Sequence, residues 1–408
     1  MCIRDSNWAG GLSEELLLEA RDGALAQSRL GLAARAEIRL GFYWWNRGAN
    51  DLAGEHFEAA ARLVEQLPLS PEKALVLQSF GVRALVSGAL DESVAAAHAA
   101  AEMAEVLGLD ALRAQALITL GSARFSLGEV EGIEEIERGL AAGESLNAGE
   151  IIVRGYKNLG DAVQRIGELE RAADLHQQGL ETARRLGDVW HVRWFSGELA
   201  YDRYLEGRWD EALALADDVI AVVEAGTPHY MESVCRDTRA LIRLARGDAA
   251  GAAADSERSL ELGRSVADPQ VLWPAFAVRA GVLAEGGDFR TAGELLDECE
   301  AALPSVAGIG GTAEFAFAAA LAGRTPGVFA AAREILSTPW IEAGDAVCKG
   351  NFARAAELYA QMGSSPDEAN ARRLSGEDTQ VRRALDFYRS VGATRYVREA
   401  ESLLAASA

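Results

Sequence analysis

Seven glycines recur along this chain at a nearly constant interval: Gly48, Gly88, Gly128, Gly167, Gly207, Gly247 and Gly287, spaced 40, 40, 39, 40, 40 and 40 residues. A fixed period of that size is the signature of a repeat architecture, in which each unit is too small to bury its own core and stacks on its neighbours. Each glycine sits in a short polar turn, as in "LVSGALDESVAAA", "QRIGELERAADLH" and "YLEGRWDEALALA". A small residue stands seven positions before it: Gly41, Gly81, Gly121, Gly160, Ala200, Ala240 and Ala280. Five positions after it come Ala53, Ser93, Ile133, Ala172, Ala212, Ala252 and Ala292. Apolar residues around these positions fall at i, i+3, i+4 and i+7, the stripe of an amphipathic helix. The turn glycine supplies positive φ where a first helix ends. The small residues on either side let a second, antiparallel helix approach closely. No stretch alternates apolar and polar residues long enough for a strand. The prolines fall largely between units or in first turns (Pro68, Pro71, Pro228, Pro269, Pro274), where a missing N–H costs little. The expectation is an all-α row of helical hairpins.

Composition narrows the function classes. Charged residues make up 25% of the 408 and hydrophobic ones 49%, a globular balance. The net charge of −22 makes the chain a poor partner for phosphate backbones. No apolar run approaches the ~20 residues of a membrane span. Cys2, Cys235, Cys299 and Cys348 lie far apart with no CxxC pair, which fits a reducing, cytoplasmic setting rather than a disulfide framework. We therefore expect no nucleic-acid and no membrane partner.

The order small residue, Gly, Ala, large apolar residue resembles the tetratricopeptide repeat, carried in the first full unit by Gly41, Gly48, Ala53 and Phe57. In the fourth unit the same places hold Gly160, Gly167, Ala172 and His176, with a histidine where the family carries a large apolar residue. The family period is about 34, so each unit here is longer by about six residues. HEAT and armadillo arrays share the length but lack the Gly/Ala grid, and another α-solenoid is the alternative. The resemblance implies a right-handed superhelical α-solenoid of antiparallel helix pairs, with first helices lining a concave groove that takes a protein or peptide. Carried over residue by residue, the groove candidates are Arg35, Phe42 and Trp45 in the first unit. Arg154, Lys157, Asp161, Gln164 and Arg165 follow in the fourth, and Trp194, Tyr201 and Tyr204 in the fifth. Arg154, Lys157 and Arg165 read as a basic cluster for an acidic peptide or small anion, beside an aromatic shelf; the alternative is that the aromatics pack between hairpins. Trp44, Trp190 and Trp209 read as packing residues.

The expected divisions are a non-native leader at 1–6, a remnant half-repeat at 7–30, the array at 31–300, a degenerate repeat at 301–345, and a last repeat with capping helices at 346–408. "MCIRDS" resembles a translated sequencing-adapter peptide, and "LSEELLLEARDGALAQS" reads as a second helix without its first. Both point to a protein that continues upstream. Gly350, Ala355 and Tyr359 return to the grid after a degenerate unit around Gly323.

The words "AAELYAQMGSSPDEANARRL" and "RALDFYRSVGATRYVREAESLLAASA" resemble the C-terminal tail of large bacterial regulators that join an adenylate/guanylate cyclase domain, a STAND-type ATPase domain and a tetratricopeptide array. That resemblance implies upstream ATPase and cyclase domains whose activities do not transfer to this chain. A LuxR-type transcriptional activator is the alternative context, and a free-standing adaptor another. No GxxxxGK[ST] loop occurs, and "AGIGGTAEF" reads as a loop between units. The five histidines (His56, His98, His176, His191, His229) form no metal-ligand spacing and read as satisfied core or surface residues. We expect no enzyme, no metal and no cofactor.

Overall fold

The structure, a computed structural model, describes residues 13–45, 49–65, 67–266, 268–302 and 310–407, apart from the side chains of Trp45 and Asn50. The expected leader Met1–Ser6 and the turn glycine Gly48 lie outside the described residues. Among those described the chain is all α-helix, in twenty-two helices. It divides into two compact units, residues 1–162 with 182–190, and residues 163–181 with 191–408.

The first unit contains α1 (Glu14–Ala26), α2 (Leu30–Trp45), α3 (Asn50–Glu65), α4 (Pro71–Val86), α5 (Leu90–Leu107), α6 (Asp110–Ser126), α7 (Gly132–Ser145) and the part of α8 (Gly149–Arg165) up to residue 162. Local chemistry sets the boundaries. Ser70 caps α4 by accepting from the Lys73 N–H at 3.3 Å, and Pro71 opens its first turn. The turn glycines Gly88 and Gly128 adopt φ +80° and +94°, as the spacing requires. The small residues work by proximity: a methyl group added at Gly41 would meet the Phe57 ring at 2.9 Å. Gly121 and Gly132 face one another across α6 and α7, each Cα against the other's carbonyl. Ser93 occupies its small-residue position and donates its hydroxyl to the Gly81 carbonyl at 2.7 Å. Between α5 and its neighbours, Ala97, Ala100 and Ala104 are fully buried, so this interface is packed by methyl groups and backbone.

The second unit continues through α9 (Leu169–Leu186), α10 (Val189–Leu205), α11 (Trp209–Glu224), α12 (Glu232–Arg246), α13 (Ala249–Val266), α14 (Pro269–Glu285) and α15 (Phe289–Ala302). Gly167, Gly207, Gly247 and Gly287 all hold φ between +80° and +89°. His176 and Asp202 are both buried, with Nδ1 2.7 Å from the carboxylate, so a polar pair replaces the large apolar contact of the repeat. Shorter pairs follow: α16 (Thr312–Leu321) with α17 (Val328–Ile335), and α18 (Pro339–Cys348) with α19 (Phe352–Met362). The last are α20 (Ser365–Leu374), α21 (Asp378–Ser390) and α22 (Thr394–Ala406). Gly350 has φ +71°, and Ala355 and Tyr359 are fully buried.

These late helices do more than end the row. They pack against the turns of the earlier hairpins in the same unit. The Trp340 indole N–H donates to the Gln164 carbonyl at 2.8 Å, and Met362 lies against Gly167. Phe387 meets the Trp209 ring edge-on at 5.9 Å beside Gly207. Thr394 donates to the Arg246 carbonyl at 2.7 Å, and the Arg246 guanidinium donates to the Val391 carbonyl at 3.1 Å. Arg373, buried under the Tyr396 ring at 4.5 Å, bridges Glu285 and Glu399.

Candidate functional site

Helices α2, α4, α6 and the first part of α8 are the first helices of successive hairpins, and their shared face in the first unit is polar. Gln78 on α4 is buried and donates its amide to Thr119 Oγ1 at 2.9 Å and to the Gln115 carbonyl at 3.2 Å, both on α6. From the other side Arg154 on α8 donates to the same two acceptors, at 2.7 Å to Thr119 and 3.3 Å to Gln115. One hydroxyl and one carbonyl on α6 thus tie α4 to α8 through side chains from both neighbours. Asn158, one turn further along α8, donates to the Arg154 carbonyl at 3.0 Å.

At the other edge of this face stand Arg35 and Arg39, one turn apart on α2. Arg35 is exposed and makes no ion pair among the described residues. Arg39 is half-buried; burial first, and the Arg35 charge second, hold its pKa below the usual arginine value, with Glu150 on α8 opposing them. The acidic residue on the same helix, Glu37, is buried, 2.6 Å from His56 Nδ1 and 3.6 Å from Arg21.

The structure distributes the sequence candidates unevenly. Arg35 and Arg154 belong to the polar face of the first unit. Phe42 is buried edge-on against Phe57 at 5.1 Å, a packing residue, and the Trp45 side chain lies outside the described residues. Lys157 is buried with its ammonium 5.6 Å from the Trp190 ring centroid, so its charge serves a cation–π contact in the interior. Asp161 is exposed near the end of α8.

Gln164 and Arg165 fall in the second unit. Gln164 donates to Asp202 Oδ1 at 3.0 Å. With Arg165, Tyr201, Gly311 and Trp340 it lines a cavity of about 10 Å³, room for a single water. Trp194 stacks on Tyr230 at 5.1 Å, and Tyr204 stacks between Tyr201 at 6.1 Å and Trp209 at 5.7 Å. Trp194 and Tyr204 are buried, and the expected open shelf is filled by the chain itself. The physical reason is twofold: the next hairpin covers Trp194 with Tyr230, and the C-terminal helices return onto the turn that holds Tyr204 and Trp209. Trp209 is buried, while Trp44 and Trp190 are half-buried.

Gln78, Gln115, Thr119 and Arg39 are not among the sequence candidates. A signal for them existed. Arg35, Leu75, Gln115 and Arg154 occupy one column of the repeat, 40, 40 and 39 residues apart, and Gln78 lies one turn from that column. Extending the period to every unit, rather than to the most basic and aromatic ones, finds them.

Three further carboxyls are buried. Asp237 on α12 is buried with neither oxygen hydrogen-bonded; the nearby Ser259 hydroxyl is engaged by Ser233 at 2.6 Å. Burial pushes its pKa up to about 8, with Asp255 adding to the effect and Ser259 opposing it in part. Glu314 and Asp367 are buried beside Tyr201, Tyr204 and Tyr359, and desolvation raises both, so they are held toward the neutral form. Among the described residues no group of three or more His, Cys, Asp and Glu side chains is arranged to hold a metal ion. No described helix is long and apolar enough to cross a membrane.

No protein-family model matches the chain, and no curated protein matches it in sequence. Solved structures do. The apo form of RapI is similar over 66% of this chain and 98% of its own, with a TM-score of 0.52 at 14% identity. The Rap conjugation gene regulator of plasmid pLS20, in complex with the Phr* peptide, gives 0.53 at 17% identity over 68% of this chain and 76% of its own. A Rap protein complexed with Competence and Sporulation Factor gives 0.56 at 12% identity over 95% of this chain and 98% of its own. At these identities the likeness is one of fold: the chain is built as a tetratricopeptide-like helical-repeat protein.

Proposed function

We propose that this chain is a non-enzymatic interaction module that takes a peptide or a protein segment on the polar face of its first unit. The observation that carries the reading is the ladder Gln78–Thr119–Arg154. Side chains there are held by hydrogen bonds to neighbouring helices before any ligand arrives, which lowers the ordering penalty of binding. The buried Gln78 carbonyl oxygen has no hydrogen-bond partner, an acceptor that a donor can still reach only by local rearrangement. Two of the similar structures were solved with a bound factor, the Phr* peptide in one and Competence and Sporulation Factor in the other, which supports a binding role for the shared fold.

The residues from Phe352 onward support a finer reading. By their resemblance to the regulator tail, this array is the C-terminal part of a cytoplasmic signalling ATPase or nucleotide cyclase, and ligand binding biases domains upstream. In-frame coding sequence for a P-loop or cyclase domain upstream of Asn7 supports that context, and a helix-turn-helix on the same chain would favour the LuxR-type alternative.

Selection of a random peptide display library on the full chain tests the binding role. Selected peptides should lose about tenfold or more in affinity on Arg154→Ala, because the Gln115 carbonyl and the Thr119 hydroxyl hold its guanidinium in place on this face. An absence of selected peptides, or an affinity indifferent to Arg154→Ala and Gln78→Ala together, would reject this face as the site.

A further inference from the structure

We propose that the cleft between α20 and α22 binds a medium-chain aliphatic carboxylate, with its charged end at Arg398 and its chain along Leu374, Leu403 and Ala406. This site lies in the second unit and does not depend on the peptide-binding role of the first.

Shape is the first argument. The cleft has a volume of about 570 Å³, inside the ~300–1,000 Å³ range of small-molecule sites. Glu399, Ser402, Leu403 and Ala406 form its wall on α22, spaced i, i+3, i+4 and i+7 so that they share one helix face. Arg373 and Leu374 end α20 on the other side. Between them Gly376 turns the chain at φ +70°, and a methyl group added there would meet nothing within 4 Å. The next residue on α22, Leu404, packs on the small core of Val381, Leu385 and Ala400, while Leu403 stays 43% exposed. Three apolar side chains are too few for a protein interface, which takes about 20–30 residues a side, but they suit one aliphatic chain.

Charge is the second argument. Arg373 reaches Glu285 at 2.7 Å and Glu399 at 3.0 Å, and Arg395 reaches the same two carboxylates at 3.2 and 2.9 Å. That quartet balances itself. Glu401 is held by Arg389 at 2.7 Å. Glu377 and Asp378 follow Gly376 but do not line the cleft. Arg398 is exposed, and among the described residues no carboxylate pairs with it. Its guanidinium lies beside Gly247, 3.5 Å from where a Cβ would stand. The adjoining carboxylate, Asp248, is occupied: it accepts from the Gly251 N–H at 2.9 Å and lies 3.8 Å from Arg243. The lining therefore carries one cation in excess at one end of an apolar wall. From Arg398 to Ala406 the helix rises about 12 Å, comparable with an extended eight-carbon acid.

The probe is octanoate, titrated calorimetrically into the full chain below its micellar concentration, with butanoate, hexanoate, octanol and octylamine as comparisons. Saturable binding of octanoate is expected, weakening about twofold or more for each methylene removed. Octanol and octylamine should bind about tenfold or more weakly, because neither offers Arg398 a negative charge. Arg398→Gln and Leu403→Ser, both at exposed positions, should each weaken octanoate about fivefold or more, and Ala406→Trp should block it by filling the cleft. Arg382→Gln, an exposed cation on α21 that does not line the cleft, should change nothing. Circular dichroism of each variant checks that the helices persist. No octanoate binding, octylamine binding as tightly, or an affinity untouched by Arg398→Gln and Ala406→Trp would overturn the proposal. So would a dimer in sedimentation that Ala406→Trp dissociates and octanoate leaves intact, because the cleft would then belong to a second copy of the chain.

Discussion

Gly207 and Gly281 show how one substitution takes its sign from the backbone around it. Gly207 has φ +80°, and a methyl group there would lie 3.0 Å from the Phe387 ring. An L-residue in that conformation costs roughly 1–2 kcal/mol before any clash. Gly281 sits within α14 without a positive φ, and an added methyl group there would meet nothing within 4 Å. Alanine at that position restricts the unfolded chain and favours the helix, by about 0.5–1 kcal/mol. Urea unfolding of the full chain should therefore show Gly207→Ala destabilised and Gly281→Ala stabilised. Equal shifts in one direction would mean that the turn glycines do not hold the left-handed conformation. This much was readable from the sequence, because a glycine at a helix stop has a local cause. The fate of Lys157 was not, since its burial beneath Trp190 depends on a residue more than thirty positions away.

At the scale of elements, the periodic hairpins were legible because each helix carries its own apolar stripe and each turn its own glycine. What the period could not reveal is where α18 to α22 go. Their contacts join residues far apart in sequence, 176 positions for Trp340 with Gln164 and 148 for Thr394 with Arg246. An amphipathic helix records that it has a buried face without recording which neighbour buries it. If the C-terminal helices brace the hairpin turns, Phe387→Ala should raise hydrogen exchange at the 204–210 and 244–250 turns. Exchange at the Gly88 and Gly128 turns, in the other unit, serves as the internal reference and should stay unchanged. Uniform deprotection of both sets would point to global destabilisation and reject local bracing.

At the scale of the whole molecule, charge and burial combine into a pH dependence. An unfolded aspartate or glutamate titrates near 4. Folded Asp237 titrates at about 8, and burial raises Glu314 and Asp367 as well. Between these limits the folded chain keeps protons that the unfolded chain has released. Rising pH therefore favours unfolding, by about 1.4 kcal/mol per pH unit for each such group, until the folded pKa is passed. The thermal midpoint should be higher near pH 6 than near pH 8, and Asp237→Asn should flatten the slope. A midpoint that rises from pH 6 to pH 8 would contradict the burial of these carboxyls in neutral form.

The sequence by itself determined the helices, their pairing into hairpins and the positions of the turns, because periodicity and glycine conformation act within a few residues. It also marked the first-helix column to which Arg35 and Arg154 belong. Only the tertiary structure decided which members of that column remain available. In the second unit, Tyr230 covers Trp194, and the returning C-terminal helices close over the turn beside Tyr204. In the first unit, Gln78, Thr119 and Arg154 are drawn into one hydrogen-bonded ladder while Lys157 is withdrawn under an indole. Local rules fix what each segment is; long-range packing chooses which faces stay open to a partner.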